Sequence, residues 1–179
     1  MTQHEYIFIA VSIILGLAIT RLLHNAAMLI RAKDKISFHW SSAIWAFSIM
    51  LYILQLWWVG WGLRVIEQCQ FIDFIILFFG CSCLYGAAEM ALSEPGEGRL
   101  YMLDESQQFG RLSALSMVLY FLTWAHGNWF LYDHAILQSL ILPSIGILLM
   151  IFVISMPKQF QLWSALFLIY SVSMLVLTV

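Results

Sequence analysis

Six apolar runs separated by short polar breaks set the pattern of this chain. They cover residues 6–30, 39–61, 71–92, 112–132, 134–156 and 160–179. Each is close to the roughly 20 residues that an α-helix needs to cross the hydrocarbon core of a bilayer. The breaks hold the charges and turn formers: the basic turn Arg31-Ala-Lys33-Asp34-Lys35, the turn at Pro157-Lys158, and a longer stretch, residues 93–111. Pro95, Gly96 and Gly98 end any helix that enters that stretch. The pattern predicts an all-α fold, a compact bundle of six transmembrane helices with short loops, forming a single domain over residues 1–179.

Composition sharpens this. The chain is 63% hydrophobic and 10% charged, whereas soluble proteins are about one-quarter charged. The spans use nearly all of the 179 residues, so chemistry is confined to the helix interfaces and one loop. A net charge of −2 gives no reason to expect nucleic acid as a partner. The opening MTQHEY lacks a basic n-region and no small-residue cleavage site follows the first run, so no cleavable signal peptide is expected. Cys69, Cys81 and Cys83 form no disulfide framework and read as small apolar residues.

Basic residues orient the spans. With the N-terminus outside, Arg31, Lys33, Lys35, Arg99, Arg111 and Lys158 fall in cytoplasmic loops and only Arg64 lies outside. Trp57, Trp58, Trp61, Trp124 and Trp129 then gather at the outer boundary, with Trp40 and Trp163 at the inner one. The expectation is a multi-pass plasma-membrane protein, a bacterial inner-membrane protein by type, with both termini outside.

Residues 46–61 and 114–129 match at six of sixteen positions, a parallel echo that either an old hairpin duplication or biased membrane composition produces. Ser12, Gly16, Thr20 and His24 form a stripe of small and polar residues at spacing four, and Ser82/Gly86 and Cys83/Ala87 do the same on segment three. Such spacing predicts close contact between segments one and three.

Two polar clusters interrupt the apolar pattern. The inner one centres on Arg21, inside segment one. A mid-helix arginine costs at least ~2.5 kcal/mol to insert, so it snorkels, pairs or lines a cavity. At ~1.5 Å per residue Arg21 lies ~8 Å short of the inner boundary, and Glu89 of segment three falls at nearly the same depth. An Arg21–Glu89 pair is the expected contact. His24 and Asn25 lie near Arg21 on one helical sector, and Tyr85 and Ser82 share the face of Glu89. One reading makes these six residues the inner half of a proton or ion path; the other makes the pair a structural link between two helices.

The outer cluster holds Gln55, His126 and Asn128 among tryptophans that include Trp58 and Trp124. Gln55 and His126 match in depth at ~21–22 Å from the inner boundary. This reads as an aromatic-walled pocket for a small amphipathic ligand, as the outer mouth of the same path, or as an interfacial belt whose polar tips reach water. His24 and His126 lie at opposite depths and cannot ligate one haem, and His24 with His39 lacks a supporting motif. His126 has no carboxylate at helical spacing on its own segment, and no metal site or cofactor is expected. Glu94, Glu97, Asp104 and Glu105 with Arg99 and Arg111 make the loop a mixed-charge one, solvated or contacting a partner. Pro143 and Gly146 are candidates for a kink in segment five.

With Gly16-Leu-Ala-Ile-Thr-Arg21-Leu-Leu, Gln55-Leu-Trp-Trp-Val-Gly-Trp61 and Glu94-Pro95 in view, the first two-thirds of the chain resembles small uncharacterised bacterial multi-pass inner-membrane proteins. That resemblance implies no activity, cofactor or site. The residues themselves point to a homo-oligomeric, non-enzymatic channel or transporter for protons or small cations. The alternative is a non-catalytic membrane subunit that holds a lipid, a quinone or a partner membrane protein.

Overall fold

The computed structural model describes residues 3–62, 70–93, 100–131 and 136–178. Six long helices run up and down through it: α1 (Gln3–Arg31), α2 (Trp40–Gly60), α3 (Phe71–Glu89), α4 (Met102–His126), α5 (Leu142–Ser155) and α6 (Phe160–Thr178). All except α4 belong to helical stretches long and apolar enough to cross a membrane. The first turns of α4 carry Asp104, Glu105, Gln107, Gln108 and Arg111, which dilute its apolar character.

The helix ends have local causes. His39 caps α2, its Nδ1 accepting the Ser41 backbone N–H at 3.3 Å. Gln70 and Asp73 form a capping box at the start of α3, where the Gln70 backbone N–H donates to Asp73 Oδ2 at 3.2 Å. Arg31 ends α1 in the last turn, where the helix dipole favours a cation. Pro143 follows directly on a helical run that opens at Leu137 and continues as α5, so its missing N–H falls where the π-helical turn passes into the α-helix. The irregularity lies just before it, in a π-helical turn at Leu137–Ile141, with a second π-helical turn at Gly127–Leu131 after α4.

Contacts pair the helix ends into two levels. Asp73 meets His126 and Asn128 meets Gln138 at one end. Arg21 meets Glu89 and His39 meets Gln161 at the other, the basic end, which holds Arg31, Lys35, Arg111 and Lys158. There a short parallel ladder ties two connections together: β1 (Ile36–Ser37) pairs with β2 (Leu100–Tyr101). Nothing in the hydrophobic pattern announced these strands.

The core joins α2, α4 and α6 through aromatic rings. Trp45 packs on Phe160 and Phe167 with ring centroids 5.4 and 5.1 Å apart, and Tyr52 stacks on Phe167 at 5.6 Å. Phe121 meets Tyr52 edge-on at 5.4 Å and Tyr170 at 6.1 Å. Polar pins cross the same interfaces. Trp45 Nε1 donates to Ser113 Oγ at 3.0 Å, and Ser113 donates onward to the Ala87 carbonyl at 2.9 Å, linking α2, α4 and α3. Tyr170 donates to the Leu142 carbonyl at 2.7 Å, linking α6 to α5. Such bonds, together with close packing, hold helices together where the surroundings are as apolar as the helices themselves. In the echo between residues 46–61 and 114–129, the matched Tyr52 and Tyr120 pack edge to face at 5.9 Å.

Two expectations need correction. The fourth helix begins at Met102, not 112, so the second half of the expected loop is helical. Segments one and three do touch, but not through the small-residue stripe. Val11, Leu15, Ala18 and Leu22 form the buried face of α1, and nothing lies within 4 Å of where a Cβ on Gly16 would stand. Gly86 on α3 instead faces Ser116 of α4. Close approach is needed at Gly146, where a Cβ would come within 2.8 Å of the Phe121 ring and 2.9 Å of the Tyr170 hydroxyl. Arg64, Cys69, the loop residues Glu94 to Arg99, and the junction at 132–135 with His134 lie outside the described residues. Cys81 and Cys83 are free and buried.

Candidate functional site

At the basic end, Arg21 Nε donates to Glu89 Oε2 at 2.6 Å, a charge-assisted bond between α1 and α3. The matched depths of the two residues anticipate this contact. Both side chains remain 32% exposed, which puts the pair on the open flank of the α1–α3 seam. One turn along, Asn25 is buried and its Nδ2 donates to the Leu92 carbonyl at 3.1 Å. Leu92 lies past the end of α3, so Asn25 ties the chain that leaves α3 to α1 and satisfies a backbone carbonyl outside the helical ladder. Its Oδ1 is buried without a hydrogen-bond partner among the described residues.

His24, Tyr85 and Ser82 do not join this group. At about 100° per residue, Asn25 is about 40° to one side of Arg21 and His24 about 60° to the other. The buried face of α1 lies on the Asn25 side, so His24 is exposed. Tyr85 is exposed as well, and Ser82 Oγ turns back to the Phe78 carbonyl of its own helix at 2.9 Å. His39, weighed above as a haem ligand, is engaged by Ser41 and Gln161.

At the opposite end, α2, α3 and α4 enclose a cavity of about 60 Å³ lined by Gln55, Asp73, Thr123, Trp124, His126 and Asn128, among others. It has room for a few water molecules. His126 Nε2 stands 3.5 Å from Asp73 Oδ1, with side chains 29% and 19% exposed. Gln55 is buried, and the buried Asn128 donates through Nδ2 to the Gln138 carbonyl at 3.1 Å, bridging the two π-helical turns. Turns of this kind recur at functional sites because they redirect side chains and free backbone groups. Trp124 lines the cavity and stacks on Tyr120. Trp58 does not line it: at 67% exposure it lies with Phe8, Leu54, Trp57 and Trp61 on an outer aromatic surface.

Asp73 is the residue that sequence reasoning missed. A carboxylate partner for His126 was sought at helical spacing along one segment, and it comes from a neighbouring helix. The signal was present: Asp73 stands in the first turn of one segment and His126 in the last turn of the next, and antiparallel neighbours bring those turns to one level.

Between the two polar levels the α1–α3 interior is filled by Leu15, Ala18, Cys81, Leu84 and Ala88. A half-buried imidazole beside a carboxylate, with amides and water-sized space around them, can hold or pass a proton or coordinate a small cation. Among the described residues no three His, Cys, Asp or Glu side chains gather as metal ligands. Searches for similar proteins found no match to a family model, a curated protein or a solved structure.

Proposed function

We propose that the protein is a six-span plasma-membrane protein, with both termini outside, that handles protons or small cations. The observation that carries this reading is the small cavity in which Asp73 of α3 faces His126 of α4, with Gln55 and Asn128 beside them. Ionisable groups in a membrane-spanning bundle are costly, and they are found where ions or protons are handled. Arg21 and Glu89 form the inner constriction in this reading, and copies of the chain joined along the α1 flank would enclose that pair. A sixth span is supported by the length of α4, 25 residues or about 38 Å, and by its packing against both α3 and α5.

A second reading is favoured by the apolar fill between the two polar levels. It makes the protein a non-conducting, non-catalytic membrane subunit that holds a lipid, a quinone or a partner protein. Ion flux in proteoliposomes decides between them, with protons, potassium and sodium tested in turn. Wild-type flux that Asp73→Asn or His126→Gln lowers tenfold or more, in protein that keeps its helicity, supports the first reading. Absence of flux for every ion at both signs of potential favours the second.

A further inference from the structure

The Arg21–Glu89 pair is not enclosed by its own chain. Both side chains are 32% exposed, on a flank of the bundle formed by α1 and α3. One turn earlier on each helix, Leu17 of α1 and Tyr85 of α3 are exposed as well, and His24 is exposed on the outward side of α1. Both helices are long and apolar enough to cross a membrane, so the flank turns a charged pair toward hydrocarbon. Ionisable side chains at such depth are costly and are found facing protein or water. Snorkelling does not relieve the cost, because the arginine is held side-on. Its Nε, the nitrogen nearest its own backbone, donates to Glu89 Oε2 at 2.6 Å, which keeps the guanidinium at the level of the carboxylate.

The charges themselves decide what fits. The flank carries one cation and one anion at one level. Copies inserted with the same orientation are related by an axis along the bilayer normal, which keeps every residue at its own depth. A two-fold contact through this flank brings Arg21 of one protomer to Glu89 of the other, and the reverse, in a ring of alternating charges. A guanidinium has several N–H donors and a carboxylate oxygen accepts more than one bond, so a pair joined within each copy also bonds across the axis. A flank with one sign of charge would repel its own copy, and an anionic lipid head would set its phosphate against Glu89.

We propose that this flank is the contact between two copies of the chain, with Arg21 of each protomer facing Glu89 of its partner. Naming this partner rests on the transport reading above, where the pair serves as an inner constriction: one copy leaves it on a surface, and two copies enclose it. Polar side chains and close packing hold such a contact together where the surroundings are apolar.

A dilution series of the full chain in detergent, followed by native mass spectrometry, tests the contact. Wild type is expected as a dimer, and Arg21→Gln/Glu89→Gln, which removes both charges at nearly constant shape, raises its dissociation constant roughly tenfold. The exchanged variant Arg21→Glu/Glu89→Arg keeps the pair within each copy and across the axis, so it dimerises with itself. Mixed with wild type it sets like charges together across the axis, and mixed dimers are depleted. In a background lacking Cys69, Cys81 and Cys83, Tyr85→Cys on the flank cross-links in membranes, whereas Ile169→Cys, exposed on α6, does not. A monomeric wild type, free mixing with the exchanged variant, or cross-linking through Ile169→Cys in place of Tyr85→Cys overturns the assignment. A monomer that retains a lipid gives the flank to the bilayer and overturns it too. A dimer without flux keeps this contact and removes the transport reading; a conducting monomer removes the contact and keeps that reading.

Discussion

Arg21 and Glu89 form a pair whose worth depends on where it sits. Deep in a low-dielectric core, removal of one partner costs about 3–5 kcal/mol, whereas exposed pairs contribute about 0–1 kcal/mol. With each side chain about one-third exposed, an intermediate penalty is expected, about 1–2 kcal/mol for Arg21→Ala or Glu89→Ala. The double variant should be milder than the sum of the two, and a thermal-unfolding cycle measures the difference. Additive effects would mean that the contact contributes nothing. This pair was legible because two charges at one depth in apolar helices have few other ways to be satisfied. Asn25 was legible only in part. Its place beside Arg21 followed from spacing, but its bond to the Leu92 carbonyl depends on where α3 stops. His24 shares a broad sector with Arg21, and the boundary between buried and exposed faces runs through it, which leaves His24 on the exposed side.

Helix packing turns on where backbones come close, and spacing alone did not locate those places. The stripe at Ser12, Gly16, Thr20 and His24 has the right period but no neighbour at Gly16, and Thr20 Oγ1 returns to the Gly16 carbonyl at 2.8 Å. Gly146, by contrast, sits against Phe121 and Tyr170. Gly146→Ala should therefore destabilise by about 1–3 kcal/mol, since an added methyl must push rings that are already packed. Gly16→Ala should be neutral or stabilise by up to about 1 kcal/mol through helix propensity. Thermal unfolding in detergent checks both, and the reverse order would show that the crowded seam lies elsewhere. The spans themselves were easy to read because long apolar runs leave the backbone little choice but helix. The start of α4 was harder, because its first turns are polar while its Met102 and Ser106 side chains are buried against other elements. Both π-helical turns were invisible in the pattern, since one extra residue per turn leaves no mark on hydrophobicity.

At the scale of the whole molecule, the side on which each helix end lies is a testable consequence of the fold. The described contacts fix the relative order of the ends: Arg31, Lys35, Arg111 and Lys158 share one end, opposite the Asp73–His126 level. The positive-inside rule predicts the cytoplasmic side for a basic end of this kind. Single cysteines introduced in a background lacking Cys69, Cys81 and Cys83 read out the side directly. With α4 spanning, Lys35→Cys and Lys158→Cys should react with a membrane-impermeant maleimide only after cells are opened. A cysteine at Gly127, beyond the end of α4, should react in intact cells. If Gly127→Cys instead behaves like Lys35→Cys, α4 does not cross, and Asp73 and His126 cannot share one level unless α3 is also displaced. That outcome would remove the cavity on which the proton or cation reading rests. Labelling of Gly127→Cys from outside would place the imidazole and its carboxylate near the outer boundary of six antiparallel spans, open to protons from that side.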